Sequence, residues 1–158
     1  MLMLTMSATP SVSTVSLATA QGPLEVPATA VLRFMAPLLG FPEVSRYALH
    51  QRKAGPLWWL QATDRVDVAF CVIQPQTLGL DPDYEVDAAE VTDLGTTDPS
   101  ELEIWTVVVL DADPRQSRTN LRAPILVCRR TGRAKQIVFN DGRLPLRQPL
   151  LPTQAGGK

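Results

Sequence analysis

Short runs rich in β-branched and aromatic residues, each soon cut off by Gly, Pro or a polar turn, recur along almost the whole chain. They read STVSLAT at 13–19, LEVP at 24–27, AVLRFM at 30–35, RYALHQ at 46–51, LWWLQA at 57–62 and VAFCVIQ at 68–74. After an acidic interval they resume as ELEIWTVVVL at 101–110, RTNLRAPIL at 118–126 and AKQIVF at 134–139, the last leading into the Asn140-Asp141-Gly142 turn. About ten short strands with frequent turns imply an antiparallel β-barrel or sandwich, because strands paired with their sequence neighbours form a sheet that buries one face by closing on itself or packing on a second sheet. VAFCVIQ is apolar throughout and is expected to be covered on both faces. Helix signals are confined to the acidic interval. Asp87 with Glu90 has the spacing of a cap and the carboxylate at the third helical position, stopped by Gly95, and Asp98-Pro99-Ser100-Glu101 repeats the pattern with Pro at the first helical position. The expected fold is mainly β, a single antiparallel barrel-like domain with one or two short helices.

At 158 residues the chain has room for one domain with a real core, whereas two halves would each be marginal. The 14 prolines against 9 glycines favour short elements and many turns. The expected organisation is a tail at 1–12, the barrel at 13–150 and a second tail at 151–158. The N-terminal segment ends in Ala18-Thr19-Ala20 but lacks a basic start and an uninterrupted apolar stretch, so it does not read as a secretion signal. No run approaches the ~20 apolar residues that span a bilayer. Cys71 and Cys128 both sit within apolar strand-like runs and read as buried, reduced thiols, in keeping with a cytoplasmic protein.

A net charge of −1 conceals segregation along the chain. From Asp67 to Asp113 there are twelve carboxylates and no Lys or Arg; from Arg115 to Lys158 there are ten cations and one acid, Asp141. Whether this yields opposite faces depends on how the strands pair. The cationic third (Arg115, Arg118, Arg122, Arg129, Arg130, Arg133, Lys135, Arg143 and Arg147) allows a reading as an RNA-binding β-barrel. Against it, single-strand readers interleave aromatic stacking platforms with their basic residues, and here Phe139 stands alone.

Catalysis finds little support. His50 is the single histidine, expected to be a partly exposed strand residue, and the chain has no GxSxG, CxxC, HExxH or P-loop pattern. The segment DPDYEVD at 81–87 superficially matches the start of a calcium loop. However, Val86 stands where Gly is needed and Thr92 where a bidentate Glu is needed. An extended chain suits it better, with Asp81, Asp83, Glu85 and Asp87 on one face and Pro82, Tyr84 and Val86 on the other. Such a row is either a solvated acidic edge or a surface for a cationic partner. Trp58 and Trp59, as neighbours on a strand, must point to opposite sides: either one enters the core and the other meets a rim or a partner, or both are buried through barrel closure and a covering loop.

Taken together, LGF at 39–41, LWWLQATDRVDVAFCVIQP at 57–75, DPDYEVD, Asp98-Pro99-Ser100-Glu101, TNLRAPILV at 119–127 and AKQIVF resemble, in order and spacing, the flagellar assembly factor FliW family. The resemblance runs from about Val15 to Leu150. Met35-Ala36-Pro37-Leu38 stands where the family has a Gly-containing turn, and the chain carries extra residues before its first strand. The resemblance implies a monomeric, cytoplasmic, barrel-like protein with no enzymatic activity and no cofactor. It also implies binding of newly made flagellin and of CsrA, a basic RNA-binding dimer that represses flagellin translation, with no direct contact to nucleic acid or membrane. On this reading Asp81, Asp83, Tyr84, Glu85 and Asp87 are candidates for the CsrA contact. Leu39, Phe41 and Trp58 or Trp59 are candidates for an apolar flagellin contact.

Overall fold

The computed structural model describes residues 13–151. The tail expected at 1–12, and all but the first residue of the tail expected at 151–158, lie outside these residues. Among the described residues there are eleven strands: β1 (Thr14–Thr19), β2 (Gly22–Pro27), β3 (Val31–Phe34), β4 (Arg46–His50), β5 (Trp58–Ala62), β6 (Ala69–Ile73), β7 (Leu102–Val109), β8 (Arg118–Thr119), β9 (Ile125–Cys128), β10 (Arg133–Gln136) and β11 (Gln148–Pro149). The α-helix α1 (Ala88–Val91) is continued by a 3-10 turn over Thr92–Leu94, and further 3-10 turns among the described residues include Pro75–Leu78 and Pro99–Glu101.

Strands β3, β4, β5, β6, β7, β9 and β10 close into a seven-stranded barrel, because β7 pairs with β9, β9 with β10, and β10 with β3. All of these contacts are antiparallel except β10 on β3, which is parallel through Arg133↔Arg33 and Ala134↔Phe34. A ring of odd number cannot alternate direction all the way round, so one parallel neighbour pair is unavoidable. Long β7 makes closure possible by dividing one edge: Leu102–Trp105 pair with β9, while Val108 and Val109 pair with β8.

Alternation along each strand sorts side chains inward and outward. Leu32, Phe34, Tyr47, Leu49, Leu60, Val72, Trp105, Ile125, Val127 and Ala134 fill the interior, and the loop between β3 and β4 adds Leu38 and Val44. The outward faces are apolar too, and three coverings bury them. Hairpin β1–β2 lays Leu17 and Val26 on Ala48, α1 and its continuation lay Val91 and Leu94 on Leu126 and Cys128, and Leu78 and Leu150 lie over Cys71, Ile73 and Val108. The cover over β6 explains why VAFCVIQ is apolar on both faces. Each fully buried Leu or Val contributes about 1.5–3 kcal/mol.

Two expectations need correction. RTNLRAPIL is not one strand: after β8 the Asn120 side chain accepts a hydrogen bond from the Arg122 N–H, turning the chain before β9 begins at Ile125. Asp87 occupies the start of α1, but its carboxylate makes no capping bond, whereas the Asp98 carboxylate accepts from the Ser100 N–H at 3.0 Å.

Candidate functional site

The acidic segment is built as a strut along the outside of the barrel. Gly79, at φ 74, ends the 3-10 turn Pro75–Leu78 and releases the chain into an extended run over 81–87. Exposure alternates as expected: Asp81, Asp83, Glu85 and Asp87 are exposed, while Pro82, Tyr84 and Val86 are half-buried. The segment joins no sheet. It is held by side chains instead: the Tyr84 hydroxyl donates to the Leu121 carbonyl, the Tyr84 ring lies 5.1 Å from that of Phe139, and Val86 packs against the cluster around Leu94 and Leu126. Burial pushes the Tyr84 hydroxyl up to about 12, so it remains a donor at any physiological pH.

Between this strut and the chain at 139–145 lies a cleft of about 510 Å³. Its walls carry Asp81, Asp83, Glu85 and Asp141, and Leu80, Leu121, Phe139 and Leu144 form apolar parts of its lining. One cation, Arg143, enters it, paired with Asp141 through Nη2–Oδ2 at 2.9 Å and Nε–Oδ1 at 3.1 Å. That guanidinium holds the Asp141 carboxyl below the usual carboxylate range. Asp141 chiefly, and Glu85 and Asp83 at longer range, favour the charged form of Arg143. A cleft with acidic walls and apolar lining suits a side chain with an aliphatic stem and a cationic head, which is how Lys and Arg divide themselves at surfaces.

The charge segregation along the chain does not survive folding. Arg129 pairs with Glu103 at 3.0 Å, Arg130 with Glu101 at 2.7 Å and Lys135 with Asp93 at 3.3 Å, each joining the cationic third to the acidic one. Arg115 is similarly occupied by Asp113 at 3.2 Å. The pairing of β7 with β9 brings the Arg129 and Arg130 pairs together, because it sets Glu103 opposite Val127 and Leu102 opposite Cys128. What remains without a cation in the acidic third is concentrated at 81–87, since among the described residues Asp81, Asp83, Glu85 and Asp87 form no ion pair.

The apolar candidates divide among three places. Leu39 is 70% exposed at the tip of the β3–β4 loop, where its N–H donates to Gln136 Oε1. Phe41 folds back from that loop against Phe70, edge to face at 5.0 Å. Trp58 faces the barrel interior and meets Trp105 at 5.6 Å, whereas Trp59 lies on the outer face against Cys71 and Leu57, with the Arg52 guanidinium 4.1 Å above its ring. The pair therefore splits inward and outward, as adjacent strand residues must. These four residues do not make one patch.

His50 is not partly exposed: only 5% of it is accessible, and neither ring nitrogen has a hydrogen-bond partner within the described residues. It points outward from β4, but its cross-strand neighbour is Trp59, and that outer face is covered. Burial, with Arg52 adding to it, depresses its basicity. Cys71 and Cys128 are free and buried, and burial pushes the Cys71 thiol up to about 11. Sequence reasoning did not find Leu121, Phe139, Asp141 and Arg143, although they complete the acidic cleft. The Asn140-Asp141-Gly142 turn marked the place but not its neighbour 81–87.

The family profile described as "FliW protein" matches residues 16–150. The chain belongs to the FliW family. Among FliW relatives, the flagellar assembly factor of Leptospira biflexa is 31% identical over 132 residues, covering 82% of this chain and 86% of that protein. That of Caldicellulosiruptor saccharolyticus is 30% identical over 128 residues, covering 80% and 83%. The crystal structure of a flagellar assembly factor FliW superposes with a TM-score of 0.79 at 19% identity, covering 90% of this chain and 99% of that one. The mainly β barrel is thus the FliW fold, and flagellar assembly is the process to which the family name ties this chain. No helix among the described residues is long and apolar enough to cross a membrane.

Proposed function

We propose that this chain is a non-enzymatic, cytoplasmic flagellar assembly factor that works by partner exchange, holding newly made flagellin or the translational regulator CsrA. While flagellin accumulates it occupies the protein and leaves CsrA free to repress; once flagellin is exported, CsrA is captured and translation resumes. Family membership supports the first half of this reading. The observation that carries the CsrA half is the exposed carboxylate row Asp81, Asp83 and Glu85, held rigidly over a cleft with apolar lining. A protein that grips RNA phosphates must present cations, and an acidic surface on its antagonist steers the encounter and adds salt-sensitive affinity.

The test mixes the purified protein with flagellin and with CsrA of the same organism, separately, by isothermal titration. Complexes with both are expected, and no complex with either at micromolar concentration sinks the proposal. The RNA-binding alternative draws no support from the ion pairs at Arg115, Arg129, Arg130, Lys135 and Arg143, which already occupy much of the cationic third. Filter binding of bulk cellular RNA across a salt series separates the two readings, since the proposed antagonist retains almost none at physiological salt.

A further inference from the structure

Trp59 floors part of a second surface, which carries two cations at one end. Two adjoining hollows, of about 470 and 310 Å³, share Pro56, Leu57 and Leu110. The first is bounded by Arg52 and Lys53, and the second runs on over Ile73 and Leu78 to Asp111 and Leu151 at the far end. Leu110 is 46% exposed, on the wall common to both. Large apolar side chains seldom stay in water as a continuous furrow unless something is to cover them.

The cations at one end indicate what that is. Arg52 lies across the Trp59 ring and Lys53 follows it, and among the described residues neither forms an ion pair. The loop that carries them is braced, since Gln51 Nε2 donates to the Gly55 carbonyl at 2.6 Å and Gly55 sits at φ 135, a conformation that side chains resist. An aromatic anchor under an arginine, beside an apolar furrow, is the composition of an interface centre.

We propose that this furrow docks an amphipathic protein segment whose apolar ridge is flanked by acidic residues, with Leu57, Trp59 and Leu110 taking the ridge and Arg52 and Lys53 the acids. The assignment rests on the reading that the chain works by holding other proteins. It adds a docking surface whose cationic end, at Arg52 and Lys53, would select acidic residues where the acidic cleft selects basic ones.

The test uses two fluorescein-labelled synthetic helical peptides with the same heptad of leucines, one flanked by Glu and the other by Lys, titrated by anisotropy against the full chain. The Glu peptide is expected to bind at least tenfold tighter at low salt, with the gap closing towards molar salt. Leu110→Glu should abolish that binding, and Arg52→Glu with Lys53→Glu should reverse the preference. All three sites are exposed, and circular dichroism of each variant checks that the fold is kept. Equal binding of the two peptides, or binding indifferent to these substitutions, overturns the proposal. So does binding that emerges only after deletion of residues 1–12, which assigns the furrow to the chain's own N-terminus. A concentration-dependent dimer lost on Leu110→Glu likewise overturns it in favour of a second copy. If the peptides fail while flagellin and CsrA still bind the unaltered protein, the furrow assignment falls and the proposed function stands.

Discussion

The Tyr84 hydroxyl donates to the Leu121 carbonyl across 37 positions of sequence, and this bond, with the Phe139 ring beneath, turns an acidic run outside any sheet into a fixed part of the surface. Tyr84→Phe removes the donor but keeps the ring. A loss of about 1 kcal/mol in urea unfolding is expected, the usual net worth of one hydrogen bond. Tyr84→Ala also removes half-buried apolar surface and should cost about 2 kcal/mol. Cleavage within 81–87 by a limiting amount of protease should rise in the alanine variant well before global unfolding, because no ladder bonds hold that run.

Opposite substitutions in the acidic cleft should move CsrA affinity in opposite directions. Charge reversal at Asp81, Asp83 and Glu85 should weaken binding at least tenfold and flatten its salt dependence, since the attraction is replaced by repulsion at an exposed, screened site. Arg143→Ala removes the cation that already sits in the cleft and should tighten binding a few-fold at low salt, with a steeper salt slope. Titrations of the wild type and both variants over a salt series check this. Unchanged affinity in the triple variant would move the CsrA contact elsewhere.

Much of this was legible in the chain because strand residues declare themselves locally. The run LWWLQA became β5, with Trp58 in and Trp59 out, and the alternation of DPDYEVD is the alternation of its exposure. Long-range partners left no such trace. Nothing near Arg133 indicates that it will lie beside Arg33 in the parallel pair that closes the ring, and two-residue strands such as β8 and β11 are too short for a pattern. His50 misled because strand position predicts which way a side chain points, not what will cover it. The charge blocks were visible, but their neutralisation depended on the β7–β9 register, which links Glu103 to Arg129.

His50 supplies a pH dependence whose sign follows from its burial. Its basicity in the folded chain is depressed, so near and below pH 6.5 the unfolded chain binds a proton that the native one does not. Stability should therefore fall as pH drops through 6.5, by at most about 1.4 kcal/mol per pH unit, until the folded-state value is reached. His50→Leu fills similar space without titrating and removes two unpartnered ring nitrogens. Urea midpoints of the two proteins should diverge as pH falls through 6.5, the variant being the more stable at the acid end. Parallel curves would show that His50 is not neutral when buried.

The joint between the acidic interval and the β9–β10 turn depends on Gly95. Its φ of 83 already disfavours a side chain, and a Cβ there would stand 2.7 Å from Thr131 Cγ2. Thr131 cannot easily move away, because its hydroxyl donates to the Leu94 carbonyl at 2.7 Å, and Arg130 Nη2 donates to the Gly95 carbonyl at 2.8 Å. Gly95→Ala should therefore cost about 2–3 kcal/mol, the sum of left-handed strain and overlap. Thr131→Ser removes the clashing methyl while keeping the hydroxyl. In the double variant the overlap disappears and the strain remains, so roughly half of the loss should return, and a double-mutant cycle of unfolding free energies measures that coupling. Full additivity would mean that the two residues do not meet, and that backbone strain alone makes glycine necessary here.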